Sequence, residues 1–263
     1  MKLTLKRLAL GIALFAAPVA ASAWGAEGHR ITGQIADSYL TPKARIAIKK
    51  ILGNETIAIT STWADFIKSD TSYKYLTPWH YVDFARAYSY PEMVEFLEHD
   101  NNTDAYTKMK FLIAELKKKD LPKDKQLLYL RMVIHITEDL HQPMHTAHED
   151  DKGGNDVKLS WFGKPSNLHS VWDTELIGNQ ELSYTEYAAA INHTTAAQRN
   201  QWQADPMTKW IFESSQLADK IYKETKPGSN LSYDYNFKFI GTVNQQLVKG
   251  GVRLAGLLNQ LFG

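Results

Sequence analysis

The chain has 263 residues, with 30 basic and 29 acidic side chains, a formal net charge of +1 and 44% hydrophobic residues. That near balance gives no general attraction to nucleic acid or to an anionic membrane, so any anionic substrate must be drawn by something local. There is no cysteine, which excludes thiolate zinc sites, cysteine-attached haem and cysteine nucleophiles.

Residues 1–23 combine a basic start (Lys2, Lys6, Arg7), an apolar run from Leu8 to Ala20 and the small triplet Ala21-Ser22-Ala23. This is the pattern of a secretory signal peptide with its cleavage site. An apolar run of roughly 13 residues is also short of the about 20 that a membrane span needs. The processed chain is therefore expected to begin at Trp24, as one domain over residues 24–263 with a proper core. Loss of a leader with three basic and no acidic residues leaves that domain slightly acidic. The expected product is periplasmic or secreted, carries no membrane anchor after cleavage, and is a monomer, since nothing predicts an oligomer. A short Lys-led leader and the lack of disulfides point to a bacterial exported protein, in which the sequons at Asn54, Asn101, Asn192 and Asn230 carry no sugar.

Beyond the leader the periodicity is mostly helical. Thr41-Pro42 reads as an N-cap and first-turn proline opening a helix that Gly53 ends. Thr103 opens "TDAYTKMKFLIAELKKK", whose basic tail suits a helix C-terminus. Pro122 opens a third helix that runs through "LLYLRMVIHITEDLHQ" until Pro143. "NLHSVWDTELIG" is a short helix ended by Gly178, and "DPMTKWIFESSQLADKIYKE" and "NQQLVKGGVRLAGLLNQLF" are long amphipathic candidates. Only "NDVKLSWFGK" alternates like a strand and turn. The predicted class is all-α, a single mainly helical domain with a small β-hairpin.

The helix around "LLYLRMVIHITEDL" is apolar on nearly every side, yet His135 and Asp139 sit four apart on one face of it. A buried carboxylate is costly unless a charge or metal answers it. The pair reads either as a structural His-Asp hydrogen bond or as part of a ligand set. The same spacing returns at His169 and Asp173, and His145 follows just past the proline that ends the first helix. Neutral imidazole with carboxylate suits zinc. Asp65 in "STWADFIKSD" and His80 in "TPWHYVDF" are further candidates, each readable as a cap or a core hydrogen-bonder. His99, His141, His148 and His193 lack a clear partner and read as surface or supporting residues. At the new N-terminus, the α-amine and carbonyl oxygen of Trp24 can chelate one metal in a five-membered ring, with His29 close behind. The alternative is that Trp24 simply follows the cleavage site and packs in the core.

Six stretches now stand in order: "WGAEGH", "WAD", "WHYVD", "HITEDLHQPMH", "GGND" and "LHSVWD". In order and approximate spacing the chain resembles the zinc-dependent single-strand-specific nucleases of fungi, plants and bacteria, the S-one/P-one type, over essentially the whole processed length. The resemblance implies a fold related to the zinc phospholipases C and three zinc ions in one cleft. One ion would take the Trp24 amine and carbonyl, His29 and Asp139. A second would take Asp65, His80, His135 and a shared Asp139, and the third His145, His169 and Asp173. Three zinc ions against three carboxylates would leave a local charge of about +3, a phosphate-attracting patch on an acidic chain.

The activity so implied is metal-assisted hydrolysis of single-stranded DNA and RNA to 5′-nucleotides, with 3′-nucleotidase activity beside it. Lys68 would bind a phosphate oxygen in the transition state, and Asp83 would orient the attacking water or Lys68. The loop with Gly154, Asn155 and Asp156 would meet a base edge, and Tyr81 would stack on a base. Many members carry phenylalanine at that last position, so a polar tip is a departure here, as is the absence of the disulfides of eukaryotic members. The rival readings are a zinc phospholipase C and an exported zinc-binding protein without catalysis. The phospholipases resemble a His-xxx-Glu pattern where this chain has His169 and Asp173, and ligands drawn from separate segments suit catalysis better than storage.

Overall fold

The computed structural model describes residues 24–263; the expected signal peptide lies outside the described residues. Helix α1 (Ala26–Ser38) is followed by α2 (Pro42–Leu52), the single turns α3 (Ile57–Thr60) and α4 (Trp63–Phe66), and a 3₁₀ stretch over Thr71–His80. Then come α5 (Tyr90–Glu98), α6 (Ala105–Leu116) and α7 (Lys123–Asp139), and a hairpin of β1 (Lys158–Trp161) and β2 (Lys164–Asn167). The rest is α8 (Leu168–Ser170), α9 (Leu176–Gly178), α10 (Tyr184–Ile191), α11 (Ala196–Ala204), α12 (Met207–Glu224), β3 (Asn230–Leu231) and α13 (Tyr233–Phe262). The mainly helical domain with a small hairpin is what the periodicity predicts. No described helix is long and apolar enough to cross a membrane.

Boundaries follow local chemistry. Thr41 caps α2, its hydroxyl accepting from Ala44 N, and Gly53 closes the helix at φ 68°. Helix α6 is capped by Asp104 rather than Thr103, because the carboxylate accepts from Thr107 N at 2.8 Å. Helix α7 stops at Asp139, before Pro143. Gln142, the residue before the proline, is extended (φ −91°, ψ 117°), as the proline ring demands. The carbonyls released by that early stop are not orphaned: Ser214 Oγ donates to Leu140 O at 2.7 Å and Gln246 Nε2 to His141 O at 2.9 Å. The hairpin turns at Phe162-Gly163, both with positive φ, and β1 also pairs in parallel with β3, a third strand not foreseen from the sequence.

Helix α13, 30 residues long, is the axis of the core. It packs on α1, α2, α7 and α11, with Val243, Leu247, Val252, Leu254 and Leu258 buried. Helix α1 wedges between α13 and α3. Gly33 sets that approach: a Cβ there would lie 2.9 Å from Ala58 Cα. The first turns of α1, the last turn of α7 and the segment Leu168–Gly178 are thereby brought together.

Candidate metal centre

Helix α7 delivers His135 and Asp139 from one face, both fully buried. Their side chains meet, with His135 Nε2 3.1 Å from Asp139 Oδ2. His29, on the second turn of α1, turns Nε2 to within 3.5 Å of Asp139 Oδ1 and 3.7 Å of Asp65 Oδ2. The α4 turn brings Asp65, which also stands 3.7 Å from His135 Nε2. His80 ends the 3₁₀ stretch with Nδ1 3.1 Å from Asp139 Oδ2 and 2.9 Å from His135 Nε2.

The third cluster is built differently. Between α8 and α9 the helix widens into one π turn over Val171–Glu175, a local expansion often found at functional sites. His169 and Asp173 remain on one face there, with Nε2 and Oδ2 3.0 Å apart. His145, in the 3₁₀ turn Pro143–Thr146, places Nε2 3.8 Å from Asp173 Oδ1. The groups His29–Asp65–His135, His80–His135–Asp139 and His145–His169–Asp173 each bring three ligand atoms within 4.8 Å of one another.

The rings are aimed by their other nitrogen. Nδ1 of His135 lies 2.6 Å from Ser61 O, that of His145 2.7 Å from His80 O, and that of His169 2.7 Å from Gly153 O. An Nδ1–H donating to a carbonyl leaves Nε2 as a lone pair pointing inward. Burial, then neighbouring His135, lowers His29 to about 3, and burial lowers His80 to about 4 against the pull of Asp139 and lowers His145 as well. At His135 and His169 burial is outweighed by the adjacent Asp139 and Asp173, and the imidazole is raised. Burial would raise the Asp139 carboxyl, but His135 and His145 hold it well below the ordinary range.

Whether zinc fits can be tested on the polar atoms. Nε2 of His29, Nε2 of His145, Oδ2 of Asp65 and Oδ1 of Asp139 are shielded from water and meet no hydrogen-bond donor. Lone pairs converging on one another without protons between them repel, and a buried acceptor left so costs about 1–3 kcal/mol. Cations placed among them would turn every one of those repulsions into a bond. The donor set of imidazole nitrogen and carboxylate oxygen is the one zinc takes.

Above the centre opens a cavity of about 390 Å³ walled by Lys68, His80, Tyr81, Asp83, His145 and Asn155, among others. The strand-like segment after His80 shapes it: Val82 N donates to His145 O and Phe84 N to Ala147 O, both at 2.8 Å. Val82 and Phe84 are buried by that lacing, and the alternate residues Tyr81 and Asp83 line the cavity. Lys68 sits 2.6 Å from Asp65 Oδ1. Burial raises the Asp83 carboxyl to about 7, with Asp151 and Glu149 adding to the effect and His169 opposing it.

The remaining expected residues fall as follows. Gly154 is buried, its N–H donating to Asp151 Oδ1 at 2.7 Å, and Asn155 lines the cavity. Asp156 points to Lys152 Nζ at 2.8 Å and is not among the lining residues. The Trp24 indole is fully buried and donates to Glu138 O at 3.0 Å, while Gly25 N donates to Asp173 O at 2.8 Å. The start of the domain is thus pinned between the last turn of α7 and the π turn over Val171–Glu175. His141 is no surface residue: it is buried, with Arg253 Nη1 3.0 Å from its Nε2.

Three residues of the site escaped the sequence reading. Glu138 is fully buried behind His29, Gln142 donates from its amide to Asp173 Oδ1, and Lys152 reaches the cavity wall. A glutamate inside an otherwise apolar run was the available signal for the first.

A family model described as S1/P1 Nuclease matches residues 24–263. The chain belongs to the S1/P1 nuclease family. Endonuclease 2 of Arabidopsis thaliana is 29% identical to it over 281 residues, covering 95% of this chain and 94% of that protein. Endonuclease 4 of the same plant is 30% identical over 267 residues, covering 91% and 89%. Nuclease P1 of Penicillium citrinum is 26% identical over 271 residues, covering 91% and 98%. The S1/P1 match spans every residue of the three clusters described above.

Proposed function

We propose that this chain, a hydrolase of the S1/P1 nuclease family, cleaves phosphodiester bonds of single-stranded DNA and RNA to 5′-nucleotides, and acts on 3′-nucleotides as well. The observation that carries this reading is the set of buried, donor-less nitrogen and oxygen acceptors converging beneath a cavity rimmed by Lys68 and Tyr81.

Three zinc ions are proposed: one with the Trp24 amine and carbonyl, His29 and Asp139; one with Asp65, His80, His135 and Asp139; one with His145, His169 and Asp173. When bound, they supply Lewis acidity and a water that ionises near neutral pH. The first ion requires the free amine of Trp24, so processing after Ala23 and export belong to the same reading, with residues 24–263 working as a monomer.

The protein side chains then act around the scissile phosphate. Lys68, held against Asp65, offers its ammonium to a non-bridging phosphate oxygen whose charge grows in the transition state. Asp83 faces the same cavity and accepts a hydrogen bond that orients the attacking water. Tyr81 is 38% exposed, enough to present a ring face to an unpaired base, while Asn155, which lines the same cavity, offers an amide to the base edge. Stacking of that kind tolerates any base but needs it out of a duplex.

The test is release of acid-soluble nucleotides from single-stranded DNA by the protein beginning at Trp24, with and without a chelator. Chelator-sensitive release is expected, restored by zinc. A folded, zinc-loaded protein that releases nothing from either nucleic acid overturns the reading.

A further inference from the structure

Of the histidines at the centre, His135, His145 and His169 each rest Nδ1 on a neutral backbone carbonyl. His29 is held by a side-chain carboxyl instead: its Nδ1 is 2.5 Å from Oε2 of Glu138. Glu138 directly precedes Asp139 at the end of α7 and is completely buried, and its Oε1 meets no partner. The backbone carbonyl of Glu138 is fixed as well, by the Trp24 indole.

Ionised, such a carboxyl is expensive in an empty centre, where burial, with Asp139 and Asp65 adding to it, raises it well above the ordinary carboxylate range. It is out of water and stands near two further carboxylates, Asp139 and Asp65, which share the His29 ring as a neighbour. One hydrogen bond from a neutral imidazole does not offset that burial. What does offset it is a cation on the far side of the ring.

The ligand sets say which cation needs it. The His145–His169–Asp173 group has its own carboxylate; Asp65 stands 3.7 Å from both His29 Nε2 and His135 Nε2, and the ligand sets proposed above give it to the second ion, beside the shared Asp139. Under those proposed sets the ion at His29 has no carboxylate to itself. It would share Asp139 and otherwise rest on neutral donors.

We propose that Glu138 is a positioning residue for the ion bound at His29: its carboxylate fixes the ring with Nε2 toward Asp139 and Asp65 and supplies through the ring the negative charge that this ion's own ligands lack. The inference rests on the reading of His29 as a zinc ligand. A carboxylate behind a metal-bound imidazole raises the basicity of the ligating nitrogen, and losing such a partner typically weakens metal binding about 10–100-fold.

The experiment is a zinc titration against a chromogenic chelator on wild type, Glu138→Gln and Glu138→Met, together with Tm of the zinc-free proteins. Glu138→Gln keeps an acceptor for Nδ1–H but no charge, so one of the bound zinc ions should weaken by about 10-fold; Glu138→Met keeps neither, and the same ion should weaken toward about 100-fold. Zinc-free Tm of Glu138→Gln should be equal to or above wild type, because a neutral amide keeps the partner of His29 Nδ1 and replaces a carboxyl whose ionisation is costly in this site. Unchanged zinc binding in both variants overturns the proposal. So does a lower zinc-free Tm of Glu138→Gln, which marks Glu138 as a part of the scaffold. A wild type that takes up no zinc is a different failure, visible in the same titration, and it overturns the functional reading underneath.

Discussion

His135 turns Nε2 to within 3.1 Å of Asp139 Oδ2, while Asp139 Oδ1 lies 3.5 Å from His29 Nε2 on the other side. One carboxylate therefore faces two histidines from two helices with its two oxygens. A group so placed can serve two ions at once. Asp139→Asn is expected to lose more than one zinc by elemental analysis and to lower hydrolysis by at least about 100-fold, more than the loss of a supporting partner. Loss of a single zinc would count against the shared role.

The indole of Trp24 and the N–H of Gly25 are tied to Glu138 and Asp173 respectively, and the proposed processing after Ala23 would free the Trp24 amine as a ligand. A protein extended by two residues before Trp24 is expected to bind one zinc fewer and to lose most activity. If the extended protein holds as much zinc as the processed one, the amine is not a ligand.

Much of this centre was legible because its chemistry is local in sequence. His135 with Asp139 and His169 with Asp173 share helix faces by spacing alone, and a histidine and aspartate in an apolar run advertise themselves. Asp65 and His80 carry no such mark, since nothing in "STWAD" or "TPWH" says that α4 and the 3₁₀ stretch fold over α7. Only the likeness of ordered motifs placed them. Helix α1 carries a weak sequence signal for a physical reason: Gly28 and Gly33 weaken its helical propensity, yet Gly33 is what lets it press on Ala58. Strand β3 is two residues long, below any periodic signal. Gln142 and Glu138 reach Asp173 and His29 through space, and periodicity says nothing about which polar group stands behind which ring.

Lys68 is 2.6 Å from Asp65 Oδ1 and opens on the cavity. In the proposed mechanism its ammonium serves the transition state rather than metal binding. Lys68→Met is expected to reduce kcat by about 10²–10³-fold, the usual cost of one oxyanion donor, with zinc content unchanged and KM moved far less. Equal losses of zinc and activity would mean that Lys68 only neutralises Asp65.

Gly153 has φ +60°, and a Cβ there would stand 2.3 Å from Met144 O. Its own carbonyl holds His169 Nδ1. Gly153→Ala must move one or the other, so we expect a zinc-free Tm lower by several degrees, at about 2–4 °C per kcal/mol for a domain of this size, and weaker binding of one zinc. A variant with wild-type Tm and zinc content would show that the loop yields without disturbing the ring.

Asp104 caps α6 while nearly buried, its Oδ1 accepting from Thr107 N at 2.8 Å. Burial, reinforced by Asp100, raises its carboxyl from 3.8 to about 7. A carboxyl that keeps its proton longer in the folded chain than in the unfolded one makes stability fall as pH rises between those two values, with the full penalty above about 7. Asp104→Asn keeps the cap acceptor and removes the ionisation. In urea denaturation with zinc saturating, the variant should match wild type near pH 4 and exceed it near pH 8, by on the order of 1 kcal/mol once solvent screening is allowed for. Identical pH dependence in the two proteins would place the proton elsewhere.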